Sequence, residues 1–347
     1  MTTGGPARII FEGGACRRMT FPAVRLRRLR RSEGMRALVR ETSVSVDDLI
    51  CPVFVQESGE QSSVGSMPGM ERLPLSGLAA EIERISALGI RAVMLFGIPE
   101  NKDDEGSAAS QRDGIVQKAI PAVRDACKDM VIMADACLCH YTTSGHCGLV
   151  RDGIVDNDSS LAALSRIAVS LAGAGADVIS PSAMMDGQVA AIRSALDSAG
   201  HSGVSTMPHS AKHSSAFYAP FRDAADCAPK FGDRRTYQTP YTGSREPIRE
   251  VAADIEEGAD IVMIKPALAY LDLIAETRRR FDVPVAAYSV SGEYALVKAA
   301  SMQGWMREED MVREILHSIK RAGADMIVTY FAKLAAGMIQ NEGRRSI

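Results

Sequence analysis

The sequence predicts an α/β fold, a (β/α)8 TIM barrel with an N-terminal extension arm, and three observations carry that reading. Eight short apolar runs recur along the chain, at residues 49–56, 91–98, 131–139, 176–182, 204–212, 260–266, 284–292 and 325–332. Between them lie stretches with apolar residues three and four apart, such as Leu78, Ile82 and Ile85, or Leu161, Leu164 and Ile167. That period belongs to helices with one buried face. One junction also repeats, as Ala174-Gly175-Ala176-Asp177, Glu257-Gly258-Ala259-Asp260 and Ala322-Gly323-Ala324-Asp325, where a glycine supplies the left-handed cap between a helix and the next strand. Eight such units in 347 residues fit a closed barrel better than an open doubly wound sheet. No Gly-x-Gly-x-x-Gly follows any of the runs, so a dinucleotide fold has no support.

Taken in order, residues 1–33 differ from the rest and are read as an arm. Gly4, Gly5, Gly13 and Gly14 loosen the start. Arg25, Arg27, Arg28, Arg30 and Arg31 then alternate with Val24, Leu26 and Leu29, and acids are nearly absent before Glu33. A nucleic-acid or targeting segment is one reading; the interleaved aliphatic residues favour an arm that packs on another subunit. Residues 34–347 are read as the catalytic barrel. Its composition, 46% hydrophobic and 24% charged, is that of an ordinary globular protein. A net charge of -3 gives no global attraction to nucleic acid or to an anionic membrane. No apolar run reaches the length of a membrane span. The seven cysteines are odd in number and locally clustered, and no secretory leader is apparent, so the expectation is a cytoplasmic protein with reduced thiols.

In a barrel of this kind, chemistry gathers where strands end. The third run leads into Asp135-Ala-Cys137-Leu-Cys139 and, past Gly145, to Cys147. On a strand, residues two apart point the same way, which places Asp135, Cys137 and Cys139 on one face with Leu138 on the other. Three reduced cysteines in a loop would be the plainer interpretation. The third cysteine beyond a glycine turn, with a carboxylate on the same face, favours a soft-metal site with one open position, the pattern of a catalytic zinc. The fifth run ends in Lys212. The sixth, all apolar through Ile261-Val262-Met263-Ile264, ends in Lys265. The seventh ends in Ser289-Val290-Ser291-Gly292-Glu293-Tyr294 and the eighth in Thr329-Tyr330-Phe331. A lysine in a low-dielectric mouth favours the neutral amine, and a second lysine beside it favours it further. A neutral amine attacks carbonyls to form Schiff bases.

These residues, with Met94-Leu95-Phe96-Gly97-Ile98-Pro99, Met184-Met185-Asp186-Gly187, Phe217–Ala225, Phe231-Gly232-Asp233-Arg234 and Val290–Tyr294 in order, resemble the porphobilinogen synthase (5-aminolevulinate dehydratase) family from about Arg27 to Ala335. The resemblance implies a hydro-lyase that condenses two 5-aminolevulinate molecules into porphobilinogen with loss of two waters, in tetrapyrrole (heme) biosynthesis. It implies Schiff bases on Lys265, with the substrate supplying the propionate side, and on Lys212, with the acetate-side substrate. It implies zinc on Cys137, Cys139 and Cys147, and proton transfer by Asp135. It assigns one substrate carboxylate to Arg222 and Arg234 and the other to Ser291 and Tyr330. Phe217, Tyr218 and Phe221 would form a lid. Glu250 matches the ligand of an allosteric magnesium in many members, although a solvated helix glutamate is the simpler reading of that residue alone. A homo-oligomer, an octamer in this family, is also implied, with no membrane or nucleic-acid partner.

The departures are Pro208, His209 and His213 around Lys212, Ala183 and Gln188 around Met184-Met185, and Ser144 where the metal loop often has histidine. If the fifth strand keeps its alternation, Pro208, Ser210 and Lys212 face the barrel interior, and His209, Ala211 and His213 face away. Two other functions stay open: a Schiff-base lyase or aldolase-like paralogue acting on a related amino-ketone, and a weakened, non-catalytic paralogue. Intact Lys212, Lys265 and three cysteines weigh against the second.

Overall fold

The computed structural model describes residues 21–22 and 24–345. The chain divides into two units, Met1–Ser43 and Val44–Ile347. Most of the expected arm, residues 1–20 and 23, lies outside the described residues. What is described of the first unit holds a 3-10 turn, Leu26–Arg30, and a helix, α1, Glu33–Leu38. Ser32 caps α1 by accepting the Met35 N–H at 3.2 Å. Leu26, Leu29 and Leu38 are exposed.

The second unit is the barrel. Its strands are Leu49–Gln56, Ala92–Ile98, Val131–Ala136, Val178–Pro181, a fifth in two pieces, Ser205–Thr206 and Ala211–Lys212, then Val262–Lys265, Val285–Ser289 and Met326–Thr329. All pair in parallel with their neighbours, and the eighth returns to the first through Leu49↔Ile327 and Ile50↔Val328. Between the two pieces of the fifth strand the wall is still bonded on both sides. Met207 and His209 donate to Ile179 and Pro181 on the fourth strand side, and Pro208, which has no N–H of its own, accepts from Met263. The eight-stranded barrel expected from the sequence is therefore present.

The helices are α2 Leu75–Ala87, α3 Ile115–Ala126, α4 Asn157–Gly173, α5 Gln188–Ser198, α6 Ala219–Ala224, α7 Arg245–Glu256, α8 Leu271–Arg280, α9 Ser291–Met302, α10 Glu308–Ala322 and α11 Ala332–Arg345. In α2 the predicted stripe of Leu78, Ile82 and Ile85 is fully buried, worth roughly 1.5–3 kcal/mol per side chain. The repeated junction performs two tasks. Gly175, Gly258 and Gly323 take φ of +105°, +102° and +120°, open to glycine at no steric cost. The aspartate that follows then accepts from a strand-start N–H next door: Asp177 from Ile132, Asp260 from Thr206 and Asp325 from Val285, at 2.7–2.8 Å. Each unit is thus pinned to the preceding strand at the face opposite the strand ends.

Three expectations need correction. The third strand stops at Ala136, so alternation does not place Cys137 and Cys139; a turn does, in which Tyr141 and Thr142 both donate to the Leu138 carbonyl at 2.9 Å. The seventh strand stops at Ser289, and Ser291 already opens α9. The fifth strand does not keep its alternation. His209 is fully buried, with its ring 6.2 Å from that of Tyr288 inside the barrel, whereas Ser210 turns outward, lining a cavity with Asp254 on α7. His209 and Lys212, three residues apart, therefore both face inward. An extra residue in the wall shifts the register by one, as a bulge does. His213 does face the outer layer as expected, stacked on Tyr270 at 3.9 Å with Nδ1 donating to the Lys265 carbonyl.

Candidate active site

Lys212 and Lys265 are register partners at the ends of the fifth and sixth strands, so both side chains enter the same mouth. Each is 5% exposed. Lys212 Nζ donates to the Ser182 carbonyl just beyond the fourth strand. Lys265 Nζ sits 4.0 Å from the Tyr288 ring centre, 5.3 Å from Phe221 and 5.6 Å from Tyr218. Burial in this aromatic box, and next the charge of Lys212, pull its pKa down to about 7. The same surroundings, burial first and the two lysines next, hold His209 well below its ordinary value, so its imidazole is neutral at neutral pH.

Glu293, 2% exposed, ties the lysine loop to α9. It accepts from Ala267, Leu268 and Val290 N–H groups at 2.8–3.1 Å. The segment carrying Phe217, Tyr218 and Phe221 lies over the mouth. Phe221 packs on Phe54, Phe96 and His140 at 5.2–5.8 Å, and Tyr218 Oη donates to the Lys265 carbonyl at 3.1 Å. Ser291 Oγ accepts from the Phe221 N–H at 2.9 Å and donates to the Phe217 carbonyl at 3.2 Å. A Cβ at Gly292 would stand 2.5 Å from that carbonyl oxygen, so the close seat of this segment requires glycine there. Tyr330 Oη meets Tyr288 Oη at 3.0 Å.

Cys137, Cys139 and Cys147 are buried free thiols whose sulfurs all lie within 4.8 Å of one another. The Cys137–Cys139 sulfur pair is 3.4 Å apart. A tetrahedral zinc with bonds of about 2.3 Å spaces sulfurs by roughly 3.8 Å, so this donor set fits a soft metal with little movement. Hydrogen bonds from the other two thiols hold Cys147 well below the usual thiol range. Asp135, 8% exposed, has Oδ1 buried without a hydrogen-bond partner. The loop between Cys139 and Cys147 is locked by Gly145 (φ +68°), where a Cβ would lie 2.4 Å from the Ala228 carbonyl oxygen. Ser144 accepts from His146 N–H at 3.2 Å. His146 itself is satisfied by Tyr237 and Phe231, at 2.9 and 3.1 Å.

Arg234 is 4% exposed, and its Nη2 donates to the Gly145 and Cys227 carbonyls. Against burial, Cys147, Cys139 and Cys227 keep it charged. Both Arg234 Nε and Arg222 Nε are buried without partners, donors available to an anion. Glu250 stands apart from this group on α7, lining a cavity of about 450 Å³ with Asp186 and Glu246; burial, then these two carboxylates, raise its pKa.

A family model described as delta-aminolevulinic acid dehydratase matches residues 23–338. The chain belongs to the delta-aminolevulinic acid dehydratase family. A dehydratase of Halalkalibacterium halodurans is 52% identical over 319 residues, covering 92% of this chain and 97% of that protein. One from Archaeoglobus fulgidus is 50% identical over 321 residues, covering 92% and 99%. The dehydratase of Toxoplasma gondii ME49, solved with its reaction product porphobilinogen, superposes with a TM-score of 0.91 at 41% identity, covering 93% and 94%.

Within this dehydratase fold, sequence reading missed four site residues. Tyr288 immediately precedes the Ser289–Tyr294 stretch, and nothing local marks its ring as a wall of the lysine site. Glu293 lies within the conspicuous Ser289–Tyr294 stretch, but its bonds to the loop after Lys265 come from the fold. His140 follows Cys139 directly, and Cys227 follows the lid helix; only folding unites that pair. Cysteine counting was the one available signal for Cys227.

Proposed function

We propose that this dehydratase condenses two molecules of 5-aminolevulinate into porphobilinogen, with loss of two waters, through Schiff bases on Lys265 and Lys212. Family membership makes the chain an enzyme of the hydro-lyase class. The observation that carries the lysine chemistry is the register pairing of the two lysines in one mouth, with Lys265 brought to about 7. At neutral pH a neutral amine on Lys265 adds to the ketone of the propionate-side substrate and, on losing water, becomes an iminium that acidifies the adjacent carbon. Lys212 forms the second Schiff base, with the acetate-side substrate. Asp135, whose buried Oδ1 has no hydrogen-bond partner, accepts and returns protons. Arg222 and Arg234 offer forked, charged donors to one carboxylate, and Ser291 and Tyr330 serve the other. The aromatic lid excludes water from the imines.

The metal assigned to Cys137, Cys139 and Cys147 is zinc, on the softness of three thiolates. When bound, it supplies Lewis-acid polarisation of a substrate oxygen. Glu250, with Asp186 and Glu246, is assigned to a regulatory magnesium. The enzyme is placed in the cytoplasm; no described helix is long and apolar enough to cross a membrane. Residues 1–33 are assigned to a homo-oligomeric, octameric contact, a role suited to the exposed Leu26 and Leu29; residues 34–347 are assigned to the catalytic unit. Borohydride reduction in the presence of 5-aminolevulinate should leave a covalent adduct on the peptide containing Lys265. An adduct on neither lysine would remove the Schiff-base mechanism.

A further inference from the structure

We propose that Cys139, His140 and Cys227 form a second soft-metal site, sharing the Cys139 thiolate with the first and clasping the lid segment to the metal loop. The ligand atoms of the three residues lie within 4.8 Å of one another, and all three residues are buried. The Cys227 sulfur thus sits beside both the Cys139 sulfur and the His140 ring. Cys139 also contacts Cys137 and Cys147, so it is common to both groups. His140 is 1% exposed, and its Nε2 is buried without a partner. Its neighbours include the rings of Phe96, Tyr141 and Phe221. A polar nitrogen left unpaired in such a setting is unfavourable, and a metal taking Nε2 would pair it. Two thiolates and an imidazole suit zinc and similar soft cations.

Cys227 does not complete the first site. The two groups have only Cys139 in common, whereas a fourth ligand of one tetrahedral ion would lie equally close to all three sulfurs. A bridging thiolate between two ions satisfies both groups. The placement has a consequence for the arginines. The Cys227 N–H donates to the Arg222 carbonyl at 3.0 Å, and its own carbonyl accepts from Arg234. A metal on Cys227 therefore fixes the segment that carries both, closing the mouth behind substrate.

The inference rests on the proposed function only through Cys139, and its test counts metal rather than turnover. Full-length protein is loaded with zinc under reductant, desalted and analysed for bound zinc. The expectation is about two ions per chain in the wild type, and about one in Cys227→Ser and His140→Ala. Cys227→His, which keeps a ligand, should restore the second. Chelator should strip the wild type in two phases, the faster absent from Cys227→Ser, and limited proteolysis across residues 214–235 should be faster in that variant. One ion per chain in the wild type, unchanged in Cys227→Ser and lost in Cys137→Ala, overturns the second site and leaves the first intact. No bound zinc overturns both. Single-phase release from the wild type, or a Cys139–Cys227 disulfide that persists under reductant, also overturns the second site.

Discussion

The depressed pKa of Lys265 makes the proposed chemistry measurable as a pH profile. An exposed lysine at its ordinary 10.5 has about one molecule in 3,000 neutral at pH 7, whereas at about 7 half are neutral. The barrel mouth thus enriches the reactive amine more than a thousandfold. Excess 5-aminolevulinate, rapid borohydride quenching and quantitation of the Lys265 peptide across pH 5.5–9 should give an initial trapping rate that rises to half-maximum near pH 7. In Lys212→Met the midpoint should rise, because one of the depressing charges is gone. It should stay below 10.5, because burial is the larger cause. Each unit of rise lowers the rate at pH 7 by up to about tenfold. The same shift fixes the sign of a stability effect. The unfolded chain binds more protons between about 7 and 10.5, so Lys265 costs stability at pH 7 and below, and that cost fades toward pH 10.5. The difference of 10.5 and about 7, at 1.36 kcal/mol per unit, is on the order of 5 kcal/mol. Lys265→Met should therefore denature at higher urea at pH 7. A wild-type midpoint near 10.5, or a Lys212→Met midpoint below the wild type's, would refute the reasoning.

Cys137→Ala should lose zinc affinity by more than the roughly hundredfold typical of an outer-shell change, and activity with it. Magnesium should not rescue the variant, since thiolates bind it poorly; full activity of chelated wild type in magnesium would contradict this. His209 is neutral and buried, so His209→Phe should leave the pH–rate profile above about pH 6.5 in place. Because its folded pKa is depressed, the wild type should lose stability as pH falls below about 6.5, where the unfolded imidazole takes a proton that the buried one does not, and the variant should not; equal urea midpoints at pH 5 would count against the buried placement. Deleting residues 1–33 should give smaller, less active assemblies, and an unchanged mass by light scattering would argue otherwise.

The barrel was legible because its signals are local. Apolar runs, a helical period and the repeated Gly-Ala-Asp junction each report on a few neighbouring residues, and the first strand matches its expected bounds, Leu49–Gln56, at both ends. The two lysines were legible because a charge ending an apolar strand is conspicuous. What eluded the sequence depends on backbone geometry or on distant partners. Period-two reasoning carried Cys137 and Cys139 on a strand that in fact turns after Ala136. The same reasoning aimed His209 outward, because nothing local announces the extra residue that lets His209 and Lys212 both face in. Cys227 meets the thiols only through the fold, being far from them in sequence.

The most direct measurement is pyrrole formation by the metal-stripped protein as zinc is restored, with 5-aminolevulinate as the only organic substrate. Porphobilinogen should appear in proportion to bound zinc and saturate, and Lys265→Met should form none at any zinc concentration. Zinc-loaded wild type that consumes no 5-aminolevulinate, or a Lys265→Met variant that makes the pyrrole at the wild-type rate, would contradict the assignment of this site.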